Sequence, residues 1–273
     1  MKDYHDWRSI RSVTPTVCAL FGIPNPALCR ESHLEEVFRS ARLEFRNKRM
    51  EKCLVFAPDA MGNQLLRTPR PLFEDVLKFA PLDVTLQSAF PPKTPVCFAS
   101  MFTGAAPEQH GIRQYEKPVL HHDTLFDALI RAGKRVAIAA VENSSIDRIF
   151  RERKIDYFSE RYDPDVIKRV VSLIKSDRYD FILAYNQEYD DVMHATGPFS
   201  KDALLAAKNT IAGFVRLSRA FDKYWSRYNR AVIFSPDHGA HVNQTDGKGT
   251  HGDDIPEDME LRHFYGIRKK DGS

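Results

Sequence analysis

Four short apolar runs recur along the chain: Cys53–Ala57 (CLVFA), Val136–Val141 (VAIAAV), Phe181–Tyr185 (FILAY) and Ala231–Phe234 (AVIF). None alternates with polar residues, so each reads as a strand buried on both faces rather than one with a wet side. Between them the period changes to that of a helix. Thr124 is placed to cap a helix over Leu125 to Ala132, with Asp127 at its third position and Gly133 as its stop. Asp163 to Lys175 reads the same way. After Ser200, the positions Leu204, Ala207, Ile211, Phe214, Leu217, Phe221 and Trp225 form one apolar stripe along a long helix. Buried strands alternating with helices specify an α/β protein, with a central, mainly parallel sheet and helices on both faces. Residues 1–50 are read as an N-terminal helical segment packed on that body, with Ser32 to Met50 helical and Pro15 to Phe21 a helix ended by Gly22. One domain over residues 1–273 is expected.

Composition changes this picture only by exclusion. The 273 residues are 42% hydrophobic and 28% charged, which is ordinary for a globular protein and excludes disordered and collagen-like classes. Forty Lys and Arg against 37 Asp and Glu leave a net charge of +3, and no like-charge run exceeds Arg268 to Lys270. Neither a nucleic-acid-binding surface nor a membrane partner is expected. The cysteines Cys18, Cys29, Cys53 and Cys97 show no CxxC spacing and read as reduced thiols. With no apolar leader at the N-terminus and no run long enough to span a bilayer, a cytoplasmic protein is expected.

In an open α/β sheet, reactive groups gather just beyond the carboxyl ends of the strands. After CLVFA comes Asp59; after FILAY come Asp190 and His194, spaced to share one face of a helical turn; after AVIFS come Asp237 and His238. Thr94 follows the strand expected at Val84 to Phe90, and His251 lies in a loop-like tail. Three aspartates and three histidines from strand-end loops form a donor set suited to two divalent cations such as zinc. A threonine hydroxyl beside such a pair can be activated as a nucleophile. Each residue alone reads as a turn residue, a cap or a local ion pair; their order makes the case.

In that order, VFAPDAMG, PPKTPVCFASMFTGAAPEQHGI, YNQEYDDVMHATGP, SPDHGAH and GTHGDD resemble the alkaline phosphatase superfamily, and within it the type I phosphodiesterase/nucleotide pyrophosphatase family. The resemblance runs from about Leu54 to Ile267 and implies an alkaline-phosphatase-like three-layer sandwich. It implies a hydrolase of phosphoester bonds working through a phosphothreonine intermediate on Thr94. One metal would be held by Asp190, His194 and His251, and a second by Asp59, Asp237 and His238 with Thr94. Zinc is implied, with manganese in related branches, and the partner is a small phosphoester. Other outcomes within the superfamily are a phosphomonoesterase, a phosphomutase, a phosphonate hydrolase or a member that binds metal without turnover.

Departures from the family pattern refine these expectations. Sulfatases of the superfamily use a cysteine-derived nucleophile, but nine residues before the Thr103-Gly104 pair stands Thr94, not Cys97. Cys97 occupies a place read as that of an asparagine bonding the phosphoryl oxygen, so Cys97 and Lys93 are the expected substrate contacts there. Tyr185, Gln187 and Phe98 are expected in the substrate wall, Asp191 and His241 as partners of ligand imidazoles, and His110 in a structural role. About seventy residues between Gly111 and Phe181 are already claimed by helix and strand, so no separate cap domain is expected. The segment Ser12 to Pro24 is also similar to a helix that follows the last metal histidine in several superfamily members, which would mean a rearranged chain order.

Overall fold

The computed structural model describes residues 8–67 and 72–272. Eight strands form the central sheet: β1 (Arg8–Ser9), β2 (Lys52–Pro58), β3 (Leu82–Gln87), β4 (Val136–Val141), β5 (Asp156–Glu160), β6 (Phe181–Asn186), β7 (Arg230–Phe234) and, beyond the hairpin β8 (His241–Val242) and β9 (Gly249–Thr250), β10 (Glu260–Arg268). Their order is β1-β3-β10-β7-β2-β6-β4-β5. All neighbours pair in parallel except β10, which runs against both β3 and β7.

The four apolar runs lie within β2, β4, β6 and β7, and every residue of these strands is buried. Successive side chains leave the sheet on opposite faces. Cys53, Val55 and Ala57 of β2 enter one buried cluster while Leu54 and Phe56 enter the other; Phe181, Leu183 and Tyr185 of β6 split from Ile182 and Ala184 in the same way. The first face is covered by the helices Val13–Phe21, Thr94–Thr103 and Leu125–Arg131. The second is covered by Asp163–Ser176 and Lys201–Tyr224, whose Phe214, Leu217 and Phe221 pack inward. The result is three layers.

Helix boundaries follow local chemistry. Thr124 accepts the Asp127 N–H while Asp127 bonds back to the Thr124 N–H, a reciprocal cap, and Gly133 takes the left-handed conformation after Ala132. Gly22 does the same for Val13–Phe21. That helix packs against the helices Glu35–Glu44, Thr94–Thr103 and Leu125–Arg131, and Glu35–Glu44 lies on β10. The expected strand Val84 to Phe90 is instead Leu82–Gln87: Leu82 and Asp83 join the ladder with β10, while Ser88 turns its N–H to Met259 O, and Ala89 and Phe90 lie outside the strand. Between Gly111 and Phe181 the chain builds Leu125–Arg131, β4, Ser145–Ile149, β5 and Asp163–Ser176, with no inserted lid. Among the described residues no helix is long and apolar enough to cross a membrane.

Candidate metal and phosphoryl site

Because β7, β2 and β6 are adjacent and parallel, the three segments leaving their carboxyl ends meet at one edge of the sheet. Asp59 directly follows β2. Asp237 and His238 follow β7 by three and four residues. Beyond β6, the helix Glu188–Thr196 carries Asp190 and His194 on one face, His194 Nε2 lying 3.4 Å from Asp190 Oδ1. The β8–β9 hairpin brings His251 against this helix. Gly249 makes the approach possible: a Cβ there would stand 2.3 Å from Met193 Sδ and 2.5 Å from Met193 O. Its carbonyl meets His194 Nδ1 at 2.9 Å.

The six groups form two triads whose ligand atoms lie within 4.8 Å of one another: Asp190, His194 and His251, and Asp59, Asp237 and His238. The triads adjoin, with the His238 and His251 rings stacked at 3.9 Å. Asp59, Asp237 and His238 are buried. Two carboxylates so enclosed, with the partly buried Asp190 beside them, are unfavourable unless cations neutralise them. Burial, with Asp59 nearby, pushes the Asp237 carboxyl well above its usual range, and burial and Asp59 raise Asp190 to about 6. Burial disfavours a charged His238, but the facing Asp237 and Asp59 carboxylates overcome this and raise it to about 10. His251, buried and beside His238, is lowered to about 3. Asp190 Oδ1 and Asp237 Oδ2 accept no hydrogen bond. A carboxylate-rich cluster with free lone pairs and imidazole nitrogens aimed inward fits divalent cations.

Thr94 opens the helix Thr94–Thr103 after Lys93 as N-cap, so its hydroxyl stands at the positive end of a helix dipole. Its Oγ1 donates to Asp59 Oδ1 at 3.4 Å and lies 3.3 Å from His238 Nε2. Pro95, lacking an N–H, removes one of the orphan donors of the first turn. Thr94 is buried, yet it lines a cavity of about 120 Å³ together with Asp59, Asp190 and Gln187.

Other expected residues divide. Tyr185 lines the cavity and its hydroxyl donates to Asp59 Oδ2; Asp191 also lines it and accepts from Tyr162 and Gln187. His241 bonds Asp258 rather than a ligand imidazole, at 2.8 Å. His110 is buried on Ser100 Oγ, as its structural reading requires. Phe98 is not in the wall: it is fully buried behind Tyr185, edge to face at 5.6 Å. Cys97 is also displaced from its expected role. One turn into its helix, the thiol faces Ser88 Oγ at 3.1 Å and the Ala89 carbonyl, fully buried, and does not line the cavity. Lys93 caps the helix and its stem lies beside Gly252, outside the cavity lining. Sequence reasoning missed Tyr115, Lys117 and residues 142–145, which complete the cavity, because nothing in their local pattern marks them.

Solved structures similar in fold include ectonucleotide pyrophosphatase/phosphodiesterases. Murine type 5, an inactive threonine-to-alanine variant in complex with AMP, is 18% identical, with a TM-score of 0.58 over 71% of this chain and 59% of that one. The human type 5 enzyme is 18% identical, with a TM-score of 0.57 over 70% of this chain and 57% of its own. The chain therefore spans less than two thirds of the length of these relatives. No curated protein matches it in sequence. The sequence profile described as "Type I phosphodiesterase / nucleotide pyrophosphatase" matches residues 53–267, from the start of β2 into β10 and across every residue of both triads. The chain belongs to the type I phosphodiesterase/nucleotide pyrophosphatase family.

Proposed function

We propose that this chain hydrolyses small phosphoesters, diesters foremost, with Thr94 as nucleophile and two divalent cations, zinc in the first instance, as cofactors. The observation that carries the reading is the placement of Thr94 Oγ1 at a helix N-terminus, between Asp59 and His238, inside a cluster of two metal-ligand triads. An inactive threonine-to-alanine variant of a protein with this fold supports the role given to Thr94.

Asp190, His194 and His251 would hold one cation, and Asp59, Asp237 and His238 the other. The pair would supply the positive charge that makes a threonine hydroxyl acidic and offsets the charge gathering on phosphoryl oxygens. Asp59 accepts the Thr94 hydroxyl hydrogen bond and so aims a lone pair of Oγ1 into the cavity. Oγ1 forms a bond to phosphorus as the bond to the leaving oxygen breaks in line; the hydroxyl proton passes to solvent and the leaving alkoxide takes one up. Water then cleaves the phosphothreonine from the opposite side, which returns Thr94 and releases phosphate or a monoester. The positive end of the helix Thr94–Thr103 favours the charged phosphoryl group throughout. Tyr185 fixes the Asp59 carboxylate from the side away from Thr94, and burial with Asp59 holds that phenol well above its ordinary pKa, so it remains a donor.

The test is elemental analysis of protein purified without chelator, alongside hydrolysis of bis-p-nitrophenyl phosphate and p-nitrophenyl phosphate with zinc or manganese. Metal in the protein, turnover faster on the diester, and loss of turnover in Thr94→Ala with metal content kept are expected. Metal without turnover on either ester leaves a non-catalytic metal-binding protein, a phosphoryl mutase is recognised by an isomeric product without free phosphate, and absence of bound metal overturns the site.

A further inference from the structure

The helix Glu188–Thr196, which carries Asp190 and His194, does not cap itself. Its N-cap is Gln187, whose side chain makes no cap bond and reaches forward to Asp191 Oδ2 at 3.1 Å instead. The first N–H groups of a helix need acceptors, and here a residue from another helix supplies them. Asp163 Oδ1 accepts the Gln187 N–H and Asp163 Oδ2 the Glu188 N–H, both at 3.0 Å. Asp163 is itself the first residue of the helix Asp163–Ser176, so one carboxylate lies at the positive ends of two helices. It is buried, and although burial raises its pKa to about 6 against the pull of the two N–H bonds, it is ionised at neutral pH. The preceding Tyr162 donates its hydroxyl to Asp191 Oδ2 at 2.8 Å, and from the helix Lys201–Tyr224 Asn209 Nδ2 donates to Glu188 Oε1 at 2.9 Å. The first turn of the ligand-bearing helix is thus gripped from two neighbouring helices.

Resting on the two-cation reading above, we propose that Asp163, assisted by Tyr162, is a positioning residue for the first cation: it sets where the helix Glu188–Thr196 begins, and so holds Asp190 and His194 in register with His251. The carboxylate acts through backbone two and three residues ahead of Asp190. A local cap at position 187 would satisfy the same N–H groups without referring the helix to its surroundings; a cap from another helix fixes it in space. Asp190 Oδ1, which accepts no hydrogen bond, depends on that backbone for its place. The geometry also makes the effect selective. His251 rides on the β8–β9 hairpin with its Nδ1 on Pro92 O at 2.8 Å. Asp59 follows β2 and its N–H bonds Asn186 O at 2.9 Å, while Asp237 and His238 follow β7. Loosening the start of the helix therefore moves two ligands of the first triad relative to the third and leaves the second triad on its strands.

The experiment reads zinc affinity site by site, by competition against a chromophoric chelator, with the stability of the metal-free chain taken from urea denaturation. Asp163→Asn keeps the shape of the side chain but sets an amide donor against one of the two N–H groups. It is expected to weaken one zinc site about tenfold or more, the range for outlying partners of metal ligands, and to leave the other unchanged. In an Asp237→Ala background, where the first triad alone is intact, the same substitution should weaken the remaining zinc about tenfold; in a His194→Ala background it should leave the remaining zinc unaffected. Tyr162→Phe, which removes a single half-buried hydroxyl, keeps the test open if Asp163→Asn does not fold, and should give the same pattern at about threefold. Asp127→Asn, which breaks the reciprocal cap of the helix Leu125–Arg131, is the control in which stability falls and both zinc affinities stay. Equal weakening of both sites, or loss of stability with both affinities intact, in a wild type that binds zinc overturns the positioning role alone. A wild type that binds no zinc overturns the two-cation reading and this role with it.

Discussion

Asp258 gives the sharpest handle on how the two triads are held together. It is fully buried on the short helix Pro256–Met259 and makes three side-chain bonds: Oδ1 to His241 Nδ1 at 2.8 Å, and Oδ2 from the N–H groups of Gly252 at 2.8 Å and Asp253 at 3.0 Å. Its own carbonyl accepts the Gly239 N–H at 2.9 Å. Gly252 and Asp253 immediately follow His251, and Gly239 and His241 follow His238. One residue thus ties the loop that delivers a ligand to the first triad to the loop that delivers a ligand to the second. A hydrogen bond to a charged acceptor contributes about 1.5–3 kcal/mol and a neutral one about 0.5–1.5. Asp258→Asn, which keeps the shape and removes the charge from three bonds, should therefore cost about 2 kcal/mol after partial rehydration of the exposed Asp253 N–H. Outlying partners of ligand-bearing segments are worth about 10–100-fold in metal affinity. By linkage that loss removes a further ~1.4–2.7 kcal/mol of stabilisation when zinc is present at concentrations well above its dissociation constant. The assay is urea denaturation of wild type and variant, each in chelator and in zinc, with zinc affinity taken by competition against a chromophoric chelator. A larger stability gap in zinc than in chelator is expected. An equal gap in both, with unchanged zinc affinity, would show that Asp258 merely supports the local fold.

Three further outcomes follow from the geometry. Cys97→Ala should lower stability by about 1 kcal/mol through loss of a buried thiol and its Ser88 contact and leave kcat within about twofold; a tenfold fall in kcat would return the thiol to the phosphoryl oxygen. Gly249→Ala should push the β8–β9 hairpin off Met193, cost about 1–3 kcal/mol and weaken zinc binding, both read by the same denaturation and competition assays, and intact zinc affinity would refute the close approach as a positioning device. His263, buried beneath the Asp237–His238 loop between Ser235 Oγ and Pro236 O, has its pKa lowered by burial from 6.5 to about 4. The stability it contributes as a neutral ring is complete above pH 6.5 and is lost as the pH falls toward 4. Between about pH 7.5 and 5, His263→Gln should therefore lose roughly 2 kcal/mol less stability than wild type, measured by urea midpoints, and parallel curves would refute it.

The candidate site was legible in the sequence because most of its residues sit at strand ends. A fully apolar run marks a buried strand without ambiguity, and in a parallel sheet its next few residues are committed to one edge; hence Asp59, Asp190, Asp237 and His238 could be placed together before their contacts were known. What was not legible depends on packing between segments remote in sequence. The register of β3 includes Leu82 and Asp83 because β10 lies beside it, and the pairing of Asp83 with Arg262 leaves no local trace. The edge strand β5, DYFSE, is half exposed and lacks the apolar signature of the central strands. Cys97 and Phe98 were misplaced for a related reason: position on a helix after Thr94 says how far along the axis a side chain lies, but which way it faces is set by Ser88 and Tyr185, brought there by other elements.

That division has a consequence for how such a site can change. Asp59, Asp237 and His238 follow the central strands β2 and β7, and Thr94 begins a core helix, all locked by two buried clusters, whereas Asp190 and His194 ride on the helix after β6 and His251 on the β8–β9 hairpin. Tyr115 and Lys117 instead lie on the irregular chain between His110 and Leu125, and Glu142 and Asn143 lie in a turn that covers none of the core. Substitutions there are expected to leave Thr94 and both triads in place, because the contacts of Lys117 are to a ring and a carbonyl within the wall itself. The candidate metal and phosphoryl groups and the outer cavity wall are therefore carried by different classes of structure in this chain.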